Sequence, residues 1–318
     1  MSGALRRGVR RLQLVNYWLI AQAARVAFGA LRLLPMDAAL NFADRAARRL
    51  GPLFGRHRVA LDNLRHAFPE KSEDEIRAIA LDMWGNMARL ALEYVYLEQI
   101  FDYDPANPNT GRIEARGAPI YERVAAEDRP HIIFTAHLGN FELIPIAANT
   151  FGLHTAEMFR PPNNPYIADY LLSTRRRSMG ELVASRQGAA ITLARILESG
   201  GNIGALVDQK FQYGVIADFF GRPCETSPLL PRLARQFDCD VYPARSVRLP
   251  GNRFRLELEE KLTLPRDAEG KVDVAATVQL FNDVVERWVR ENPGQWMWFH
   301  KRWKLTPPRK GRTPRGRA

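Results

Sequence analysis

Cysteine is nearly missing: 318 residues contain only Cys224 and Cys239, and they form no CxxC pair. This excludes a disulfide framework and a cysteine-based zinc site, and suits a reducing cytoplasmic compartment. His57, His66, His131, His154 and His300 lack the spacing of a metal-ligand set, so neither a metal nor another cofactor is expected. No Gly-x-Ser-x-Gly elbow is present, which removes the usual nucleophile of an α/β-hydrolase. Helix-turn-helix, zinc-finger and RNA-recognition signatures are absent, as is any internal repeat. Acidic residues are in deficit, 35 against 46 Lys+Arg, leaving a formal charge of +11. Such a chain is attracted to something acidic: nucleic acid, an anionic membrane or an acidic carrier protein. Without a nucleic-acid signature, the first of these falls behind.

A clean membrane-spanning run is also lacking. Arg6, Arg7, Arg10 and Arg11 precede Leu12 to Leu34, which is mostly apolar but interrupted by Arg25 and Arg32. No small-residue cleavage motif follows, so a cleaved signal peptide is not expected. Two arginines inside a full span are costly. A helix lying in the membrane interface or inserted partway fits better, with the arginines on the cytoplasmic side. A core helix with basic flanks has the same pattern. The Pro/Arg/Gly-rich tail, Pro307 to Ala318, cannot bury a core and reads as disordered.

The 46% hydrophobic content suffices for a sizeable core. We expect three parts: a membrane-associated helical segment (1–50), an α/β domain (51–306) and a basic disordered tail (307–318). Residues 36 to 68 read as helical. Ser72 with Glu75 is a capping box, starting a long helix through Ile76, Ile79, Met83, Met87, Leu90 and Val95. Strands are expected at Ile113–Ala115, His131–Ala136, Thr155–Arg160, Asn202–Val207, Val241–Arg248 and Arg253–Glu259. Helices are expected near Phe141–Ala148, Pro165–Met179, Gly188–Ser199, Leu229–Phe237 and, N-capped by Asp273, Val274–Glu291. Alternating strands and helices predict an α/β fold: a mainly parallel mixed sheet covered by helices on both faces, with an N-terminal helical membrane-associated extension.

The most informative run is Thr135-Ala136-His137-Leu138-Gly139-Asn140-Phe141-Glu142. It follows the buried apolar Ile132-Ile133-Phe134, and Gly139-Asn140 ends that strand in a turn. Strand ends are where α/β folds place chemistry. A histidine beside a strand also serves as an ordinary structural residue. If Phe141 opens a helix, however, the Glu142 carboxylate lies about one turn from the imidazole. It can then keep one ring nitrogen protonated, leaving the other to take a proton from a hydroxyl.

The His-x-x-x-x-Asp/Glu box after a buried strand resembles that of the glycerolipid acyltransferase superfamily. The version here is similar to its lipid A lauroyl/myristoyl acyltransferase branch. Four further segments extend the resemblance over residues 59 to 304. They are Phe159-Arg160-Pro161-Pro162-Asn163-Asn164-Pro165 with Arg175-Arg176-Arg177-Ser178, then Gly201 to Lys210 ending in Asp208-Gln209-Lys210, then Phe219-Phe220-Gly221-Arg222-Pro223, and finally Asn292 to Lys304.

The resemblance implies transfer of an acyl chain from acyl carrier protein to a hydroxyl of a lipid A precursor of the Kdo-lipid IVA type. It would take place at the cytoplasmic face of the inner membrane, among anionic lipids and without nucleic acid. His137 is then the general base, with Glu142 orienting its ring; the substrate hydroxyl attacks directly, so no side-chain nucleophile is needed. Backbone N–H groups near Gly139-Asn140 or the Arg160 side chain are the alternative oxyanion donors. Arg175 matches the family's functional arginine, with Arg176 and Arg177 as neighbours, and suits phosphate binding. Asp208 matches an essential aspartate and is expected to hold a pocket arginine; a turn or N-cap role is the plainer alternative. Asn140 and Lys210 complete the supporting set. Cys224 reads as a packing residue. The same chemistry on another glycolipid, such as a phosphatidylinositol mannoside, or a non-enzymatic basic membrane- or nucleic-acid-binding protein, are the alternative readings.

Overall fold

The computed structural model describes residues 3–108, 110–169 and 179–307, with residues 3–11 described in their backbone alone. Four helices come first: α1 (Gly3–Leu31), α2 (Met36–Leu50), α3 (Gly55–Ala67) and α4 (Glu73–Glu93), followed by a short α5 (Leu97–Ile100). The expected capping box starts α4: the Ser72 hydroxyl accepts from the Glu75 amide, and the Glu75 carboxylate accepts from the Ser72 amide. Helix α2 lies against α4 and buries Ala39 and Leu40. Helix α1 is different. Its stretch Leu12–Leu31 is long and apolar enough to cross a membrane, and Leu12, Val15, Trp18 and Val26 are exposed. Its attachments to the body include the Tyr17 carbonyl, which accepts from Asn164 at 2.8 Å, and the Leu31 carbonyl, which accepts from the Tyr96 hydroxyl.

The sheet has seven strands in the order β1-β9-β8-β2-β5-β3-β4. They are β1 (Ile113–Arg116), β2 (His131–Thr135), β3 (Thr155–Phe159), β4 (Glu181–Ala184), β5 (Asn202–Leu206), β8 (Asp240–Leu249) and β9 (Arg253–Leu258). Every pairing is parallel except β8–β9, the hairpin turned at Gly251-Asn252. The expected mixed, mainly parallel sheet is therefore present. Strand β2 is buried at every residue, as a central parallel strand must be. Ile132 and Phe134 face a core shared with α8 (Ala189–Glu198), α9 (Leu229–Phe237) and α10 (Val274–Glu291). Ile133 faces the opposite core, with α6 (Ala118–Ala125) and α7 (Leu143–Thr150).

Several boundaries differ from expectation. Helix α7 starts at Leu143 instead of Phe141, because the box residues are held in a loop by side-chain contacts. Strand β4 was not anticipated. Nor was the separate hairpin β6 (Val215–Phe219) and β7 (Arg222–Thr226). Its turn places both Phe220 and Gly221 at positive φ, the conformation tight hairpins favour. The expected helix at Pro165–Met179 is helical over 165–169, and its continuation over 170–178, with Arg175, lies outside the described residues. The expected basic tail, from residue 308 on, lies outside them as well.

Candidate active site

The pairing register of two adjacent strands builds the site. Thr135 of β2 lies opposite Leu206 of β5, so His137 and Asp208, each two residues farther on, arrive at the same level. The Asp208 carboxylate accepts from the His137 backbone amide at 2.9 Å and from ring Nδ1 at 2.8 Å. It also accepts from Trp296 Nε1 at 2.7 Å. Asp208 is buried. Burial pushes against its ionisation, yet the charge of His137 and these donated hydrogen bonds hold its carboxyl at about 2. An ionised acceptor at Nδ1 fixes the imidazole as the Nδ1–H tautomer, which puts the lone pair on Nε2. Gln209 donates to that nitrogen, with Nε2 to Nε2 at 3.0 Å.

Both ring nitrogens are thus partnered by residues other than Glu142. This corrects the expected orienting role: the ring is held by Asp208. The physical reason is that Asp208, brought level by the strand register, occupies Nδ1, while the buried Glu142 carboxylate accepts from the Tyr94 hydroxyl. The expected pairing of Asp208 with a pocket arginine is replaced by its contacts with His137 and Trp296. Asn140 is a framework residue. Its side chain donates to Glu93 at 2.9 Å and accepts from the Glu142 amide at 3.2 Å.

Behind the box sits a buried polar network that the sequence reading missed. Glu93, at the end of α4, is fully buried and paired with Arg248 of β8. Arg248 also donates to Asn86 at 2.9 Å. Gln295 ties this network to the loop: its carbonyl accepts from the Gly139 amide at 3.2 Å and from Asn86 at 3.0 Å. Glu93, the last residue of α4, and Tyr94, which caps the helix, therefore grip Asn140 and Glu142. Gly139 is required at its position. Its φ is +57°, and a Cβ there would lie 2.3 Å from the Ser246 carbonyl oxygen. Because the Gly139 N–H is already donated to Gln295, it is not available as an oxyanion donor in this arrangement.

His137, Phe141 and Glu142 open onto a cleft of about 1490 Å3. This exceeds the roughly 300–1,000 Å3 of ordinary small-molecule pockets. Its walls include Ile144, Met158, Leu182, Leu206, Leu230 and Phe237. Exposed arginines line it too: Arg160, Arg186, Arg195 and Arg232. Arg160 is therefore at the cleft, as expected. Lys210 also lines it, but its ammonium is engaged with Glu225 at 3.2 Å and with the Lys304 carbonyl. No cluster of His, Cys, Asp or Glu suited to a metal occurs among the described residues. Cys224 and Cys239 are buried free thiols, and burial pushes the Cys239 thiol up to about 11.

A histidine backed by an ionised acid and lining a large apolar cleft with a cationic rim is equipped, once the Gln209 amide gives way, to deprotonate a hydroxyl beside an aliphatic chain and an anionic group. The chain matches the model of a family described as bacterial lipid A biosynthesis acyltransferase over residues 7–305. It is 27% identical over 275 residues to the lipid A biosynthesis myristoyltransferase of Escherichia coli (strain K12), covering 84% of this chain and 83% of that protein. It has the same identity and coverage against lipid A biosynthesis acyltransferase 1 of Shigella flexneri. With nearly its whole length matched and an acid-backed histidine at the mouth of a lipid-sized cleft, the chain belongs to the bacterial lipid A biosynthesis acyltransferase family.

Proposed function

We propose that the protein moves a fatty acyl chain from an acyl-carrier-protein thioester to a hydroxyl of a lipid A precursor of the Kdo-lipid IVA type, with His137 as general base. The supporting observation is the setting of His137, whose Nδ1 is bonded to Asp208, whose Nε2 meets the Gln209 amide, and which lines the cleft. The acceptor oxygen attacks the thioester carbonyl while its proton passes to Nε2. The C–S bond then breaks, and the imidazolium returns the proton to the leaving thiolate. Products are an ester and the free thiol of the carrier. Asp208 stabilises the transient imidazolium as the acid of a serine-type triad does. Glu142 serves as a wall of the cleft, oriented by Tyr94.

Apolar walls suit the acyl chain, and Arg160, Arg186, Arg195 and Arg232 suit phosphates on the acceptor or on the carrier's phosphopantetheine arm. Arg175, by its place in the family segment, joins this group. The exposed apolar side chains of α1, preceded by Arg6, Arg7, Arg10 and Arg11, fit contact with an anionic membrane from its cytoplasmic side. The test is incubation of purified protein with a panel of acyl carriers and lipid acceptors, read by mass spectrometry. The expected product is the lipid A precursor with one added acyl ester. Acylation of a mannosylated phosphoinositide but not of the precursor would overturn the acceptor assignment. Release of free fatty acid as the sole product would overturn acyl transfer itself.

A further inference from the structure

The Asp208-Gln209-Lys210 segment is pinned by the C-terminal stretch at three consecutive residues. Trp296 donates to the Asp208 side chain, Arg302 donates to the Gln209 carbonyl at 3.0 Å, and the Lys304 carbonyl accepts from Lys210. Arg302 is itself buried and held by the Glu225 carbonyl at 2.8 Å and by Asn282 at 3.0 Å. The backbone of Gln209 is therefore fixed. Its side chain is exposed and, among the described residues, makes a single hydrogen bond, the one to His137 Nε2.

A neutral imidazole has one in-plane lone pair on its unprotonated nitrogen, so it accepts one donor at a time. The Gln209 amide nitrogen lies 3.0 Å from Nε2. A hydroxyl surrendering its proton to this base must sit about 2.6–3.2 Å away, in the same place. The two positions exclude each other. We propose that Gln209 is a movable cap on the His137 lone pair, displaced by the acceptor hydroxyl and closed in its absence. The inference rests on the reading of His137 as general base. Its consequence is selectivity against water. With the cap closed, a water molecule cannot take the acceptor's place, attack the thioester carbonyl and release a free fatty acid and the carrier thiol. Substrate hydroxyls, held by a large lipid, displace the amide; isolated water competes poorly with it.

The test uses the full-length protein and diethyl pyrocarbonate, which carbethoxylates an imidazole nitrogen that carries a free lone pair. Labelling of His137 is followed by peptide mass spectrometry, with exposed His66 as internal reference. A neutral hydrogen bond closes the cap by a modest margin, so Gln209→Ala is expected to label about 2- to 10-fold faster at His137. Hydrolysis of acyl thioester without lipid acceptor is expected to rise by a similar factor. Gln209→Glu places a carboxylate at Nε2, favours the imidazolium, and is expected to slow labelling and move its pH midpoint upward. Equal labelling of His137 in Gln209→Ala and the unaltered protein overturns the cap. A His137→Ala protein that transfers acyl chains normally would instead overturn the base assignment, while faster labelling in Gln209→Ala would still establish the cap.

Discussion

Replacing Asp208 with asparagine changes one atom in the most tightly bonded carboxylate of the site. Its consequence follows from counting donors. The carboxylate accepts the His137 amide at 2.9 Å and Trp296 Nε1 at 2.7 Å on one oxygen, and ring Nδ1 at 2.8 Å on the other. An asparagine has to point its NH2 at one of these sides. Facing the backbone amide and the indole leaves two buried donors opposed by a third, at about 1–3 kcal/mol for each lost hydrogen bond. Facing the imidazole conflicts with a single donor, and the ring escapes by moving its proton from Nδ1 to Nε2. The second arrangement is therefore favoured. It keeps the geometry but removes the lone pair that must receive the hydroxyl proton. Wrong-tautomer substitutions of this type lower turnover by roughly 10^4-fold in serine-type triads. We expect Asp208→Asn to fold, to lose about 10^3–10^4-fold in acyl transfer, and to show Nε2-protonated His137 by 15N NMR. Retention of more than a tenth of the normal rate, or an Nδ1–H tautomer in the variant, would refute this reasoning.

Acid should expose the same carboxylate. Its folded value of about 2 lies below the ordinary 3.8, so its stabilising contribution is complete above about pH 4 and is lost as the pH falls through 2. The difference amounts to about 2 kcal/mol, and Asp208→Asn should flatten that part of an acid-unfolding profile. Arg248→Met leaves Glu93 buried without its counter-charge and should cost about 3–5 kcal/mol in denaturant unfolding. An unchanged midpoint would show that the pair does not support the box. Gly139→Ala combines a positive φ with a clash on the Ser246 carbonyl, and should destabilise by more than about 1 kcal/mol while slowing transfer.

Much of this was legible from local pattern. The strand that delivers His137, the α4 capping box and the Asp273 cap of α10 are written in adjacent residues, and each is present. The partner of the imidazole was not. His137 and Asp208 are 71 residues apart, and their meeting depends on β2 and β5 being neighbours in register, which no local spacing encodes. Spacing favoured Glu142 because it is five residues away, yet Asp208 occupies Nδ1 and Glu142 accepts from Tyr94. A signal for the Glu93–Arg248 network did exist. Asn86 and Glu93 fall seven residues apart on the same helical stripe as Ile79 and Met83, and a charge on an apolar stripe asks for a buried partner. Which arginine answers it is a tertiary fact.

The most direct measurement is single-turnover acyl transfer by His137→Ala, with an acyl-carrier-protein thioester and a lipid A precursor as substrates. A general base contributes about 10^2–10^4-fold, so the variant should fold normally and lose about that factor in the transfer step. Transfer at the rate of the unaltered protein would contradict the assignment of His137 as the group that takes the acceptor's proton.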